Sequence, residues 1–203
     1  MPSSPKDILR QQFDAYRRAL STSEHNSRSR RICARTKQHP AVQNAGTLMA
    51  YWPHVERGEV DTRPLIGACV AAGMTVALPV VTRFEAGNPA MEARLFSGTD
   101  ALEANRWGLH EPVHGERILP ADLDVIIVPA FGVDQHGHRI GHGSGFYDRF
   151  LGDLDCTTIA LSFDACMVND IPTALHDVPA TYVITETTTV TPLSRSRASS
   201  SAR

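Results

Sequence analysis

Residues 125–150, VIIVPAFGVDQHGHRIGHGSGFYDRF, carry the densest set of chemically useful side chains in the chain. Gly141, Gly143 and Gly145 alternate with small or polar residues. That pattern strips side chains from the backbone, so successive N–H groups can close on an anion. Arg139 and Arg149 bracket the glycines, and Asp148 stands where a carboxylate can hold a divalent cation. A glycine loop with cations on both sides and a carboxylate at its exit suits a phosphate group together with Mg2+.

Other chemistries fit less well. The nucleotide-binding pattern G-x-x-x-x-G-K-[ST] is absent, and the spacing G-x-G-x-G is not the dinucleotide fingerprint. Taken alone, such a run also describes a plain turn. His136, His138 and His142 suggest a zinc cluster, but no further Cys or His accompanies them, and solvated loop histidines are the expectation. The glycines flank Ser144 directly rather than two residues away, so a nucleophile elbow is a poor reading. Upstream, Asp61 or Thr62 is expected to cap a following helix. That leaves Glu59 at the end of a strand, where it can face a ligand's amine or amide groups. Trp107 reads equally as a core aromatic or as a stacking surface for a flat heterocycle.

The elements that must position these residues alternate. Ser4, Pro5 and Asp7 predict a helix start, with Leu9, Phe13, Tyr16 and Leu20 as its buried stripe. Lys6 and Arg10 lie one turn apart on it and so can point the same way. Ser21 and Glu24 form a capping-box pattern that opens a second, very polar helix. Strands are expected at Thr47–Trp52, Met74–Val81, near Ala93–Phe96, at Val125–Val128, Thr157–Phe163 and Thr181–Thr185. Helices are expected at Pro64–Ala72, stopped by Gly73, and briefly after the glycine loop. The alternation implies an α/β fold with a largely parallel sheet, whose ligands gather at the C-terminal ends of the strands. Residues 1–186 read as a single domain, and 187–203, rich in Ser, Thr and Arg, as a disordered tail.

Across 203 residues the formal net charge is −2, which argues against a general nucleic-acid binder. The N-terminal helices are nonetheless basic: Lys6, Arg10, Arg17, Arg18, Arg28, Arg30, Arg31, Arg35 and Lys37 face only Asp7, Asp14 and Glu24. These cations are either a solvated face or, in part, reach an anionic ligand. Cys33, Cys69, Cys156 and Cys166 show no paired spacing, and no run reaches membrane-spanning length. A cytoplasmic protein with reduced thiols, without membrane or nucleic-acid partners, is the expectation.

Taken together, these residues resemble the 5-formyltetrahydrofolate cyclo-ligase family over most of residues 5–186. The resemblance rests on Lys6-x-x-x-Arg10, Tyr51-Trp52-Pro53, Gly58-Glu59-Val60-Asp61-Thr62, Leu78-Pro79 and Gly108-Leu109-His110-Glu111-Pro112. It continues through Gly137–Arg149 and His176-Asp177-Val178-Pro179, the Arg139–Arg149 segment being the most specific. It implies a three-layer α/β/α domain with a central, mainly parallel sheet, and a monomer that uses ATP and Mg2+ to close a reduced folate into its methenyl form. It further implies that Lys6, Arg10, Arg139, Gly141, Gly143, Ser144, Gly145, Phe146 and Tyr147 bind ATP, Lys6 and Arg139 being catalytic. Asp148 and Asp177 would hold Mg2+. Glu59, Trp107 and His142–Phe146 would meet the folate.

The chain departs from the family pattern at several points. It is about two residues longer between Tyr51 and Glu59. Phe146 replaces a common Tyr, Ser144 an occasional Lys, Cys166 a usual Gln, and Thr181 a frequent acid. Cys166 and Thr181 motivate an alternative reading, a paralogue that binds folate or nucleotide without turnover.

Overall fold

The computed structural model describes residues 4–85, 87–152 and 154–192. Helix α1 (Pro5–Ala19) starts as its sequence predicts. Ser4 Oγ accepts from the Asp7 N–H while the Asp7 carboxylate accepts from the Ser4 N–H. Ser21 and Glu24 close the same reciprocal cap on α2 (Thr22–Gln38). Each cap contributes about 1 kcal/mol. Phe13 and Arg17 are buried together on α1, and His25, Ser29, Ile32, Cys33 and Thr36 make a helical stripe on α2. The very polar second helix therefore buries three polar residues, His25, Ser29 and Thr36, along with its apolar ones.

The main sheet contains β1 (Thr47–Met49), β2 (Thr75–Arg83), β3 (Ala90–Leu95), β4 (Arg117–Ile118), β5 (Val125–Pro129), β6 (Thr157–Leu161), β7 (Tyr182–Ile184) and β8 (Thr189–Val190). Its order is β8-β7-β6-β5-β1-β2-β3-β4. The five inner strands β7, β6, β5, β1 and β2 are parallel, and the flanking strands are antiparallel. Register places Leu48 between Val76 and Val125, and Ile159 between Ile127 and Tyr182.

Because strand side chains alternate, the sheet buries both faces. Leu48, Val76, Leu78, Val125, Ile127 and Ile159 join the larger core, with Phe13 of α1, Ile32 of α2, Val42 of α3 (Pro40–Gln43) and Leu65 of α4 (Arg63–Ala71). Met49, Ala77, Ile126 and Val128 face the other way, where α5 (Phe146–Leu151) contributes Leu151. The expected α/β/α architecture is present, with unequal outer layers.

Three features depart from the sequence reading. The segment read as one long loop carries a small sheet, in which Gly132–Asp134 pairs with Arg139–Ile140 and Met167–Val168. Leu102–Ala104 and His110–Pro112 form a hairpin with Arg106 and Trp107 in its turn. Bridges of two or three residues are too short to show periodicity. Finally, the tail reading is corrected at its start: Thr189–Val190 is strand β8, paired with Val183 and Ile184. Residues 193–203 lie outside the described residues.

Candidate active site

The C-terminal ends of three adjacent parallel strands converge on one edge of the sheet. From β1 the chain runs to Tyr51 and Glu59, from β2 to Phe84, and from β5 through the small sheet to the glycine loop. The loop bends at Gly143 (φ 90°) and Gly145 (φ 70°), and Gly145 leads into α5. An L side chain disfavours both conformations.

Against this loop the first turns of α1 present their cations. Arg10 Nε donates to the Gly141 carbonyl at 2.9 Å, and its Nη1 pairs with Asp7. Lys6 Nζ meets Asp177 Oδ2 at 2.5 Å. Arg139, only 6% exposed, donates from Nη2 to Asp148 Oδ1 at 2.7 Å and from Nη1 to the Val178 carbonyl at 2.5 Å. The Val178 N–H returns a bond to Asp148 Oδ1 at 3.2 Å, which joins the two segments. Burial pushes the Asp177 carboxyl up, but the Lys6 bond and the Ala174 N–H outweigh it and hold the carboxyl below its ordinary value.

These carboxylates suit a hard cation. Among the described residues, every hydrogen bond to Asp148 falls on Oδ1 and every one to Asp177 on Oδ2. One oxygen of each is left to take a metal. No group of three or more His, Cys, Asp or Glu that could hold a metal occurs among the described residues. Two carboxylates are what Mg2+ takes when phosphate oxygens and water complete its shell.

The second half of the site is built around Glu59, which is 8% exposed. Its Oε2 accepts from the His54 N–H at 2.8 Å, and His142 Nε2 donates to Oε1 at 3.1 Å. Burial alone would raise this carboxyl; the bonds from His142 and His54, with the charge of Arg17, carry it below its ordinary value. The backbone beneath Glu59 belongs to no strand, so its carbonyls need partners. Arg17 donates from Nη2 to the Arg57 carbonyl at 2.5 Å and from Nε to the Gly58 carbonyl at 2.8 Å. His25 takes the Glu59 carbonyl at 2.7 Å, Tyr51 the Val60 carbonyl at 3.3 Å, and Cys33 the Asp61 carbonyl at 3.1 Å. Five consecutive carbonyls are satisfied by side chains from α1, α2 and the end of β1. Gly58 makes the approach of α1 possible: at φ 66°, a Cβ there would stand 2.9 Å from Arg17 Cβ.

At the exit of the glycine loop, Phe146 joins an aromatic group. Phe84 stacks on Trp107 with centroids 4.5 Å apart, and Phe146 lies 5.4 Å from Phe84. The Arg106 guanidinium rests 4.2 Å from the Trp107 ring centre. Trp107 is thus half-buried, stacked on Phe84 and outside the core clusters. Phe84, 49% exposed, was not among the sequence candidates. Tyr147 buries its hydroxyl with no hydrogen-bond partner among the described residues, and burial pushes its phenol up, with the Glu59 charge acting the same way. An orphaned hydroxyl of this kind is a place for a ligand atom.

Other expectations are corrected. The histidines of the loop are not simply solvated, because each faces a carboxylate: His136 with Asp170 at 3.2 Å, His138 with Asp134 at 3.0 Å and His142 with Glu59. At the start of α4, one of the two expected capping residues serves: Thr62 holds the cap position but turns its Oγ1 to the Tyr51 carbonyl, and Asp61 Oδ1 accepts from the Arg63 N–H. The basic α1–α2 pair is neither wholly solvated nor wholly ligand-facing. Lys6 and Arg10 border the glycine loop, Arg17 is buried, and Arg28 pairs with buried Glu186 at 3.0 Å. One signal for Arg17 was available in the sequence, since it stands four residues after Phe13 on the buried stripe.

The profile of the 5-formyltetrahydrofolate cyclo-ligase family matches residues 2–186. The chain belongs to that family. It is 33% identical over 174 residues to the 5-formyltetrahydrofolate cyclo-ligase of Escherichia coli K12, covering 83% of this chain and 93% of that one. Identity is 37% over 147 residues to the Mycolicibacterium smegmatis enzyme of the same name, covering 68% of this chain and 73% of that one. The solution structure of Aquifex aeolicus 5,10-methenyltetrahydrofolate synthetase superposes with a TM-score of 0.81 at 26% identity, covering 97% of this chain and all of the other. Two departures from the cyclo-ligase pattern are structural. Cys166 is fully buried in the larger core, where burial pushes its thiol up to about 12. Thr181 Oγ1 accepts from the Thr158 N–H at 3.1 Å, and Thr158 Oγ1 lies 3.2 Å from it.

Proposed function

We propose that the protein catalyses the ATP- and Mg2+-dependent cyclisation of 5-formyltetrahydrofolate to 5,10-methenyltetrahydrofolate, releasing ADP and phosphate. The observation that carries this reading is the convergence of Lys6, Arg10 and Arg139 with Asp148 and Asp177 around the glycine loop. The family match across residues 2–186 supports the same activity.

The formyl oxygen of the substrate is a poor leaving group. Transfer of the γ-phosphoryl group of ATP to it makes it a good one and releases ADP. N10 then attacks the formyl carbon, the carbon–oxygen bond breaks, and phosphate departs with the oxygen as the methenyl ring closes and the N10 proton is lost. Phosphoryl transfer asks the protein chiefly for position and charge. Lys6 and Arg10 exchange their present partners for phosphate oxygens, with the backbone of Gly141, Gly143, Ser144 and Gly145 closing around them. Arg139 fixes Asp148 from one side and adds its charge to the phosphate region. Magnesium, when bound through Asp148 and Asp177, supplies further positive charge to the phosphates. Glu59, held ionised, accepts from N–H donors of the pterin, with His142 beside it. Phe84, Trp107 and Phe146 offer faces to the flat parts of folate or adenine, and the orphaned Tyr147 hydroxyl offers a donor to the ligand.

This reading makes the protein a cytoplasmic monomer acting on small molecules, with no nucleic-acid partner. Among the described residues, no helix is long and apolar enough to cross a membrane. The non-catalytic alternative loses its motivation, because Cys166 and Thr181 serve the core and a strand contact. The test is to supply substrate labelled with 18O in the formyl group and follow ADP and phosphate. The proposal requires folate-dependent ADP formation and recovery of the label in phosphate. Protein that binds both ligands yet forms no ADP would overturn it.

A further inference from the structure

A buried cation with no bonded carboxylate among the described residues needs a reason. Arg17 is 3% exposed, and its compensation comes from three carbonyls, those of Arg57, Gly58 and Ala130, and from the ring of Phe131. The guanidinium carbon stands 4.3 Å from that ring centre. On the other side of the connection, the Phe131 ring meets His142 edge-on with centroids 4.7 Å apart. So one side chain of α1 touches both the backbone that carries Glu59 and the ring against which His142 packs. Those two residues are the hydrogen-bonded pair at the folate end of the site.

We propose that Arg17 is a positioning residue for folate binding: its planar fork sets the Glu59 carboxylate through the 57–58 carbonyls and sets the His142 ring through Phe131. The inference rests on the reading that Glu59 faces the folate. The geometry is specific to arginine, because Nε and Nη2 bond adjacent carbonyls while the plane covers a ring, which an ammonium cannot do. Gly58 belongs to the same device, since a side chain there would collide with Arg17 Cβ.

Position is not the only effect. Burial pulls the Arg17 guanidinium below its ordinary value, and the largest opposing influence on it is Glu59. Reciprocally, Arg17 helps to keep Glu59 ionised. The groups around Glu59 are Arg17 from α1, His25 from α2, Tyr51 after β1, His54 from the turn below, His142 from the glycine loop and Tyr147 from α5. Of these, Arg17 carries the permanent positive charge.

The experiment compares Arg17→Met, Arg17→Lys and Glu59→Gln in the full chain, varying 5-formyltetrahydrofolate and ATP separately across the acid range. Arg17→Met is expected to raise KM for the folate by roughly tenfold or more, with KM for ATP changed by less than about twofold. The acid limb of kcat/KM moves to higher pH in this variant, because a charge favouring the carboxylate is gone. Arg17→Lys returns the limb towards its original position but leaves the folate KM raised. A limb that stays in place, or KM values for both substrates rising together with a falling melting temperature, would reduce Arg17 to a structural anchor and overturn the proposal. If Arg17→Met does not fold, Arg17→Lys decides: a raised folate KM supports the proposal and an unchanged one defeats it. Should Glu59→Gln leave the folate KM unchanged, the reading of Glu59 itself fails. An effect of Glu59→Gln with silent Arg17 variants defeats only the role of Arg17.

Discussion

The two halves of the site handle charge in opposite ways. Around the glycine loop, cations and carboxylates neutralise one another in pairs, Lys6 with Asp177 and Arg139 with Asp148, and Lys6 and Asp177 stay 29% and 19% exposed. Around Glu59, a single carboxylate is buried and its backbone is fixed by side chains from α1 and α2. On the proposed function, the first half exchanges partners when a polyanion and a metal arrive. The second is set before any ligand comes. Preorganisation belongs where a neutral or weakly charged heterocycle must be chosen by geometry, and exchangeable pairs belong where the ligand brings its own charge.

The largest expected effect lies in the exchangeable half. Asp148→Asn removes a carboxylate oxygen from the cation and weakens the grip of Arg139, so kcat should fall on the order of 10²–10³-fold. The chain should stay folded, as circular dichroism would report. A kcat near that of the parent would show that the paired aspartates do not serve the metal.

Glu59→Gln probes the fixed half. It should raise KM for folate by roughly 10–100-fold, as expected for lost hydrogen bonds to a charged group, and leave KM for ATP alone. It also has a signature in stability against pH. The Glu59 carboxyl sits below its ordinary value of 4.5 in the fold, so it stabilises the fold above that value. This contribution is lost as the pH falls through the folded value, and acid unfolding of Glu59→Gln should lack it. Identical acid transitions in the two proteins would contradict the assignment.

Lys6→Ala returns to the exchangeable half with a smaller effect. Lys6 is partly exposed and its pair with Asp177 is screened, so stability should change by less than about 0.5 kcal/mol. KM for ATP should rise about tenfold, reflecting one charged contact. The smallest effect should come from Thr181→Ala, which removes the contact with Thr158 at a cost of about 1 kcal/mol and leaves turnover intact. A large loss of activity there would show that Thr181 serves more than a strand contact.

The exchangeable half was legible in the sequence because its parts are local. The capped start of α1 puts Lys6 and Arg10 one turn apart, and the glycines, Arg139 and Asp148 lie within ten residues of one another. The fixed half was legible only at Glu59. Arg17 and His25 act on carbonyls 34–41 residues away, so their polar character reads as surface until the helices are docked. Phe84 follows the end of β2 with no periodic signal, and it meets Trp107 only through the fold. The parallel sheet was readable from the apolar runs at β2, β5 and β6. The small sheet of 132–134, 139–140 and 167–168 was not, since two- and three-residue bridges are set by their neighbours. Strand β8 was hidden in a Thr-rich stretch whose composition suggested a tail.

The central claim is that this site couples transfer of the γ-phosphoryl group of ATP to closure of a folate ring. It is tested most directly by following the absorbance of methenyltetrahydrofolate formed from 5-formyltetrahydrofolate with ATP and Mg2+ present together, each omitted in turn, and both omitted. The account predicts product only when both are present. Product without ATP, or none from folded protein that binds ATP and folate, would contradict it.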